Sequence, residues 1–497
     1  MSVVQHAGSL PPCPSPYNLT DALLWSNGAE DDKIALSVLS ASGAERWSYG
    51  RLRDTVARTS GALVAAGLAP GNRLLLSLGS TPAFPVVFLA ATAVGILPVP
   101  AAESLTAREK AALVRAVSPD AVISRGPAPE GFSSLTRLEV DDILGNGEPT
   151  RPIPGDPDRP AFVMVTSGTG GMPKPVVHAH RAIWGRRPMR EGWTDLRPED
   201  RMLHAGAFNW TYTLGTGLFD PWSVGATALV LAPGTDPAML PLLAKRHDAT
   251  MIAAVPGVYR RLLKAPLPPL PRLRHALSAG EKLPETIRNS WASATGTAIH
   301  EAYGQTECST FISGSPTRPA PEGTLGYPQP GRRIVLLDCD GTLSAPGETG
   351  EIAVSTDDPG LALEVDGARP TGAWFRTGDL GSFTPEGAVV YHGRADDVLT
   401  AGGYRISPLE IEAAFEAHPD IEAAAAVDHH LSPDTVVVAL HYAAAAPIDE
   451  AILARLAGEA LAPQKRPRLF LHHAELPRGR NGKLLRRALG PATDAGS

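Results

Sequence analysis

Cysteine is nearly absent: Cys13, Cys308 and Cys339 are the only three among 497 residues. They are odd in number, far apart and without a C-x-x-C pair. That excludes a disulfide framework and a cysteine-rich zinc site, and it suits a reducing compartment. A membrane-length apolar run is missing too. Leu74 to Ala102 carries no charge, but Gly79, Pro82, Pro85, Gly95, Pro98 and Pro100 cut it into pieces shorter than the ~20 residues a span requires. A strand, a buried helix over Pro85–Val94 and a second strand account for it. The opening MSVVQHAGSLPPC has neither the basic start nor the apolar stretch of a signal peptide. A cytoplasmic protein with no membrane span is expected. Positive charge is not in excess: the net charge of −7 argues against a polyanion-binding surface, so nucleic acid is not an expected partner.

Hydrophobic residues at 43% and charged residues at 20% are ordinary for a globular protein, and the length allows roughly three units of about 150 residues. Gly (49) and Pro (48) are in aperiodic excess, which implies many loops. Ser48 caps an expected helix with Leu52, Val56, Leu63 and Val64 on one face, ended by Gly67. Apolar strands over Arg73–Leu78, Ala161–Thr166, Thr227–Leu231 and Met251–Val255 alternate with helices, as in a sheet covered on both faces. From Gly323 to His392 short strands and glycine turns suggest a small β-rich unit. Near Gly393 the pattern changes again. Ser407-Pro408-Leu409-Glu410 has the form of a capping box, followed by two strands, a helix over Glu450–Leu461 and a last strand over Arg468–His472.

The segment Val163–Val177, VMVTSGTGGMPKPVV, carries the strongest chemical signal. A strand runs into Thr166, Ser167, Gly168, Thr169, Gly170 and Gly171, then Lys174. Backbone N–H groups free of side-chain bulk, hydroxyl donors and a cation suit a polyphosphate. It is not a Walker loop, because Pro173 stands where that motif needs Gly. The plainer alternative is a flexible turn with a solvated lysine.

This loop resembles the phosphate loop of adenylate-forming enzymes, which include acyl-CoA synthetases, nonribosomal peptide adenylation domains and luciferases. Further segments match in order: Tyr303-Gly304-Gln305-Thr306-Glu307, Phe375-Arg376-Thr377-Gly378-Asp379, Gly393 to Glu412, and Pro477 to Arg486. The resemblance covers roughly residues 30–487. It implies an α/β fold: a large N-terminal domain of helix-covered mixed sheets plus a small β-barrel-like unit (1–393), followed by a small mobile α+β C-terminal domain (394–497). It also implies ATP, Mg²⁺ and coenzyme A. A carboxylate attacks the α-phosphorus of ATP, pyrophosphate leaves, and the acyl-AMP is passed to a thiol. Two anions must meet, so charge neutralisation and in-line alignment carry the catalysis.

By this resemblance the catalytic groups are Lys483, which bridges carboxylate and α-phosphate, Thr306, which donates to that phosphate, and Lys174. Glu307 holds Mg²⁺. Tyr303 stacks on adenine, with Gly280 and Glu281 lining the base. Asp379 and Arg394 hold the ribose, and Arg405 reaches a nucleotide phosphate. Asp396 matches the hinge, and Gly402 and Gly403 line the pantetheine tunnel. Without the family, Asp379 reads as a capped turn, Arg394–Asp396 as a surface ion pair, and the basic tail around Lys483 as a solvated face. Gly170 and Pro175 depart from the family's usual residues, Thr or Ser and Gly.

The acyl pocket is expected from His204–Gly217, with Phe208, Asn209, Trp210 and Tyr212 as candidate walls. Trp210 followed by Gly225-Ala226-Thr227 resembles the acetyl and medium-chain acyl-CoA synthetase branch. Neutral Asn209 disfavours an amino acid substrate, whose ammonium would lack a counter-charge. Gly304 lies where acetate-specific relatives carry a blocking tryptophan, so the pocket is expected to admit a medium-chain, branched or aryl acid. The expected partners are that small carboxylic acid and CoA, with the assembly state, homodimer included, left open. A stand-alone enzyme loading a carrier protein and a non-catalytic nucleotide-binding protein are the alternatives.

Overall fold

The computed structural model describes residues 3–5, 10–103, 105–126, 130–132, 135–167, 172–401, 404–432, 435–479 and 484–489. Its centre is a nine-stranded sheet. In spatial order the strands are Tyr327–Pro328, Ser309–Ser313, Ile299–Gln305, His275–Ala279, Met251–Ala254, Arg201–His204, Thr227–Leu231, Ile34–Leu39 and Ala44–Ser48. From Ile299–Gln305 to Ile34–Leu39 all six are parallel. These strands are short, apolar and buried on both faces, the pattern parallel sheets require.

A second, four-stranded parallel sheet contains the uncharged stretch. Arg73–Ser77 and Leu97–Pro100 are neighbouring strands, and the helix Ala83–Ala93 between them is buried along its whole length. Among the described residues no helix is long and apolar enough to cross a membrane. The helix Tyr49–Ala65 is capped by Ser48, whose hydroxyl accepts from the Arg51 N–H at 3.2 Å. Leu52, Val56 and Leu63 are buried, whereas Val64 is 49% exposed. At 100° per residue Val64 falls about 120° from Leu52 around the helix, outside the stripe the others share.

The β-rich unit is an antiparallel sheet in the order Val3–Gln5, Arg333–Leu337, Gly350–Ser355, Trp374–Phe383, Val389–Arg394. Among the described residues its two edge strands do not pair with each other. Its buried anchor is Arg332, whose guanidinium meets the Asp358 carboxylate and donates to the Gly185 carbonyl at 2.7 Å.

After residue 394 come a short hairpin and a three-stranded sheet, Ala423–Ser432, Thr435–Ala443 and Leu469–His473. The helices Pro408–Glu416 and Glu450–Ala460 cover one face through Ile411, Phe415, Leu453 and Ala457. The other face presents Ala423, Ala425 and Ala443, small enough for Leu476, Leu484 and Leu489 of the tail to lie flat on it. The capping box does not form. Ser407 is the N-cap residue and Pro408 the first helical position, but the Ser407 hydroxyl donates to the His392 carbonyl at 2.7 Å. Glu410 instead receives Lys465 at 2.7 Å. The junction with the preceding unit outcompetes the local cap.

Four imidazoles, those of His178, His180, His204 and His300, are buried, and desolvation pushes each from 6.5 to about 3. Unfolded histidine takes a proton near 6.5 while these stay neutral, so acid favours the unfolded chain. The stability they confer is complete above pH 6.5 and is lost as pH falls towards 3. The urea midpoint is therefore expected to be level above pH 7 and to fall steadily from pH 6.5 to 4, less steeply in His300→Asn. A midpoint independent of pH over that window contradicts this.

Candidate active site

The strand order of the central sheet reverses at Arg201–His204. Arg201–His204 lies between Thr227–Leu231 and Met251–Ala254, both later in the chain. The connections diverge there and open a crevice at the carboxyl ends of the strands, where such sheets bind ligands. The motif residues sit there: His204–Gly217 follows one strand, Gly280 and Glu281 another, and Tyr303 to Glu307 end a third.

Asp379 is the most completely satisfied of these groups. It is 3% exposed, and its carboxylate accepts from the Tyr303 hydroxyl at 2.6 Å, the Gln305 amide at 2.6 Å and the Tyr391 hydroxyl at 3.0 Å. Arg394, its register partner on the next strand, stands 3.8 Å away and also donates to Asp396 at 3.1 Å. Burial, reinforced by the Asp379 charge, holds both phenols well above their ordinary pKa. The Tyr303 ring packs edge-on against Phe311 at 5.2 Å. Three segments far apart in sequence thus meet at one carboxylate. Gln305 and Tyr391 escaped the sequence reading: Gln305 lies inside a recognised motif, but nothing near Tyr391 marks it.

Thr306 is brought to Thr211, hydroxyl to hydroxyl at 3.4 Å. Both line a small cavity of ≈ 40 Å³ whose apolar walls include Phe162, Leu214 and Phe219. At its edge Arg186 is held by Asp220 at 2.6 Å. Thr211 was also missed, being a hydroxyl within an aromatic run. The Glu307 carbonyl accepts from the Ala362 N–H at 2.7 Å, so the loop anchored by Arg332–Asp358 reaches the site.

The candidate acyl walls divide. Trp210 lies against Gly280: a Cβ at Gly280 would come within 2.9 Å of the indole, and the glycine's φ of +97° also favours no side chain. The indole meets Tyr212 edge-on at 5.3 Å. Asn209 is half-buried beside it. Phe208 points instead into the core and stacks on Phe84 at 5.2 Å. Gly304 corrects the pocket-size argument. A Cβ there would lie 2.0 Å from the Ser309 carbonyl oxygen, so its missing side chain answers a close strand approach at a register shift and opens no pocket.

The phosphate-loop segment is a hairpin. Pro160–Ser167 pairs antiparallel with Pro173–Ala179, opposing Thr166 to Lys174. Lys174 is 3.8 Å from Asp366. Gly168, Thr169, Gly170 and Gly171 lie outside the described residues, as does the Ser167 side chain. So do Gly402, Gly403 and Lys483, and the Arg405 side chain. Glu281 turns away from a simple base-lining role: its carboxylate accepts from Arg478 at 3.3 Å and from the Leu484 N–H at 3.1 Å.

Comparison with known proteins finds a match to the family model described as AMP-binding enzyme over residues 24–362. The chain is similar to a benzoate–CoA ligase of Thauera aromatica, at 30% identity over 98% of each chain. It is also similar to a 4-hydroxybenzoate–CoA/benzoate–CoA ligase of Rhodopseudomonas palustris, at 31% identity over 90% of this chain and 89% of that protein. Among solved structures it is similar to a benzoate CoA ligase from Burkholderia xenovorans, with TM-score 0.85 and 27% identity over 95% and 99% of the two chains.

Asp379→Ala strands two buried phenols without their acceptor and leaves the Gln305 amide only the Thr377 carbonyl, so a loss of about 2–3 kcal/mol is expected in urea unfolding. Tyr391→Phe, which removes one donor, is expected to cost about 1 kcal/mol. A change for Asp379→Ala no larger than that for Tyr391→Phe contradicts the network.

Proposed function

We propose, from the premise that this chain belongs to the AMP-binding enzyme family, that it joins an aromatic carboxylic acid of the benzoate class to coenzyme A. It is an ATP-dependent acid–CoA ligase of the AMP-forming kind; the aromatic acid is the specific part of the proposal. The observation that supports it is the likeness, over nearly the whole chain, to benzoate–CoA ligases.

In the first half-reaction a carboxylate oxygen attacks the α-phosphorus in line and the pyrophosphate oxygen leaves, giving acyl-AMP. Thr306 donates to the α-phosphate, and Lys483 and Lys174 supply positive charge where negative charge accumulates. A carboxylate has about four acceptor sites, and three on Asp379 are filled by protein donors. The remaining one takes a ribose hydroxyl, with Arg394 donating to the same sugar. Among the described residues no group of three or more His, Cys, Asp or Glu could form a dedicated metal cage. One carboxylate, Glu307, beside phosphate oxygens and water fits Mg²⁺, which when bound neutralises phosphate charge.

In the second half-reaction the CoA sulfur attacks the acyl carbonyl and AMP leaves. We assign this step to a second pose of residues 394–497, turned about Asp396 so that Gly402 and Gly403 line the thiol's path. The aromatic ring rests on Trp210 and Tyr212, whose mutual edge-on packing leaves an apolar wall beside Gly280. A cytoplasmic setting belongs to the same proposal and rests on the free thiols of Cys13, Cys308 and Cys339.

With Mg-ATP and CoA, a screen of benzoate, hydroxybenzoates and straight medium-chain acids is expected to yield aroyl-CoA, read by mass, with pyrophosphate released. Thioesters only from straight-chain acids refute the aromatic assignment. Transfer only to a phosphopantetheinylated carrier replaces CoA as acceptor, and absence of pyrophosphate with every acid removes the ligase altogether. Lys483→Ala is expected to lose acyl-AMP formation by 100-fold or more, an order-of-magnitude figure, and to keep thioester formation from supplied acyl-AMP. Equal loss of both half-reactions contradicts its role.

A further inference from the structure

The residues around Lys483 are tied to two different bodies. Arg478 and Leu484 form an antiparallel bridge, and the Leu485 N–H donates to the Pro477 carbonyl at 2.9 Å. The segment is therefore closed at its base into a hairpin. Just beyond it Arg486 grips Glu412, with Nε to Oε1 at 2.9 Å and Nη2 to Oε2 at 2.6 Å. Glu412 lies in the helix Pro408–Glu416, is buried, and also accepts from the Ala426 N–H at 2.9 Å. That bidentate pair fixes the hairpin on its own C-terminal unit.

On the other side stands Glu281, at the carboxyl end of the His275–Ala279 strand of the central sheet. Its carboxylate takes the Arg478 guanidinium at 3.3 Å and the Leu484 N–H at 3.1 Å. Leu484 is the residue after Lys483, and consecutive Cα atoms are about 3.8 Å apart. Whatever pins the Leu484 amide therefore limits where the Lys483 backbone goes. Glu281 also directly follows Gly280, against which Trp210 packs. One loop thus joins the wall of the crevice to the base of the lysine hairpin.

We propose that Glu281 is a positioning residue for acyl-AMP formation: through Arg478 and the Leu484 N–H it docks the C-terminal tail against the crevice loop, and it lets go for thioester formation. This rests on the ligase reading above. The charges around it support a releasable dock. Arg260, on the helix Pro256–Leu262, lies in the field of Glu281, Glu416 and Glu422 and is opposed by Arg478. Arg478 and Glu281 keep 29% and 20% side-chain exposure, so water can replace their contacts when the unit turns. A second cross-seam pair, Lys264–Glu422 at 2.9 Å, is 59% and 45% exposed and lies apart from the hairpin.

The test separates the half-reactions. Glu281→Ala is expected to slow acyl-AMP formation about tenfold, the usual scale for losing hydrogen bonds to a charged group, at unchanged ATP KM. Thioester formation from supplied acyl-AMP and CoA is expected to be unchanged or faster. Glu281→Gln, which keeps an acceptor for the Leu484 N–H, should fall between Glu281→Ala and the wild type. Lys264→Ala should leave both half-reactions as they are. A raised ATP KM with a normal saturated rate makes Glu281 part of the base site and overturns the proposal. So does an equal fall in both half-reactions, or no change in either. If Glu281→Ala fails to fold, the Glu281→Gln and Arg478→Gln rates decide between the same outcomes. Wild-type protein that releases no pyrophosphate with any acid removes the ligase reading instead, a result these variants cannot mimic.

Discussion

A carboxylate out of water survives only when its lone pairs are filled, and Asp379 is filled from two directions. Tyr303 and Gln305 reach it from the end of the central parallel sheet. Tyr391 and Arg394 approach from its own antiparallel sheet. Because the acceptor is buried and charged, any slide between these sheets would strand several donors at once. The two units therefore behave as one frame, and the crevice between them keeps its shape. Arg332 and Asp358 repeat the device nearby, fixing the loop that touches Glu307.

Within that frame the reversal of strand order at Arg201–His204 decides where chemistry can happen. Side chains just past the strand ends converge without needing long loops of their own. The convergence demands close backbone approaches, and glycine meets it twice. At Gly280 it makes room for the indole of Trp210, and at Gly304 for the facing strand's carbonyl. His178 and His204, buried near this region, have their pKa values pushed down to about 3 by desolvation.

The alanine-faced sheet of the C-terminal unit is covered by its own tail, and among the described residues its polar contacts with the frame include Glu281 with Arg478 and Leu484, Lys264 with Glu422, and the Ser407 hydroxyl with the His392 carbonyl. Partly hydrated ion pairs hold a pose without committing to it, as two successive reactions over one nucleotide require.

The sequence by itself determined the class and the parts. Apolar runs of strand length, broken by proline and glycine, implied a sheet covered on both faces and no membrane span, because local backbone preference and burial act over a few residues. The resemblance of its motifs implied that Thr306, Glu307, Asp379 and Arg394 share one site; in the structure Tyr303 and Gln305, beside Thr306, donate to Asp379, and Arg394 stands 3.8 Å from it. What only the tertiary structure decided is which partner each group meets once strands, sheets and units come together. Ser407 gives its hydroxyl to His392 and not to its helix. Phe208 belongs to the core, while Trp210 faces the crevice. Gly304 answers Ser309, Tyr391 completes Asp379, and Glu281 turns from the base to the tail. Each depends on which donor, acceptor or surface the fold delivers to a given point, and no window of neighbouring residues contains that information.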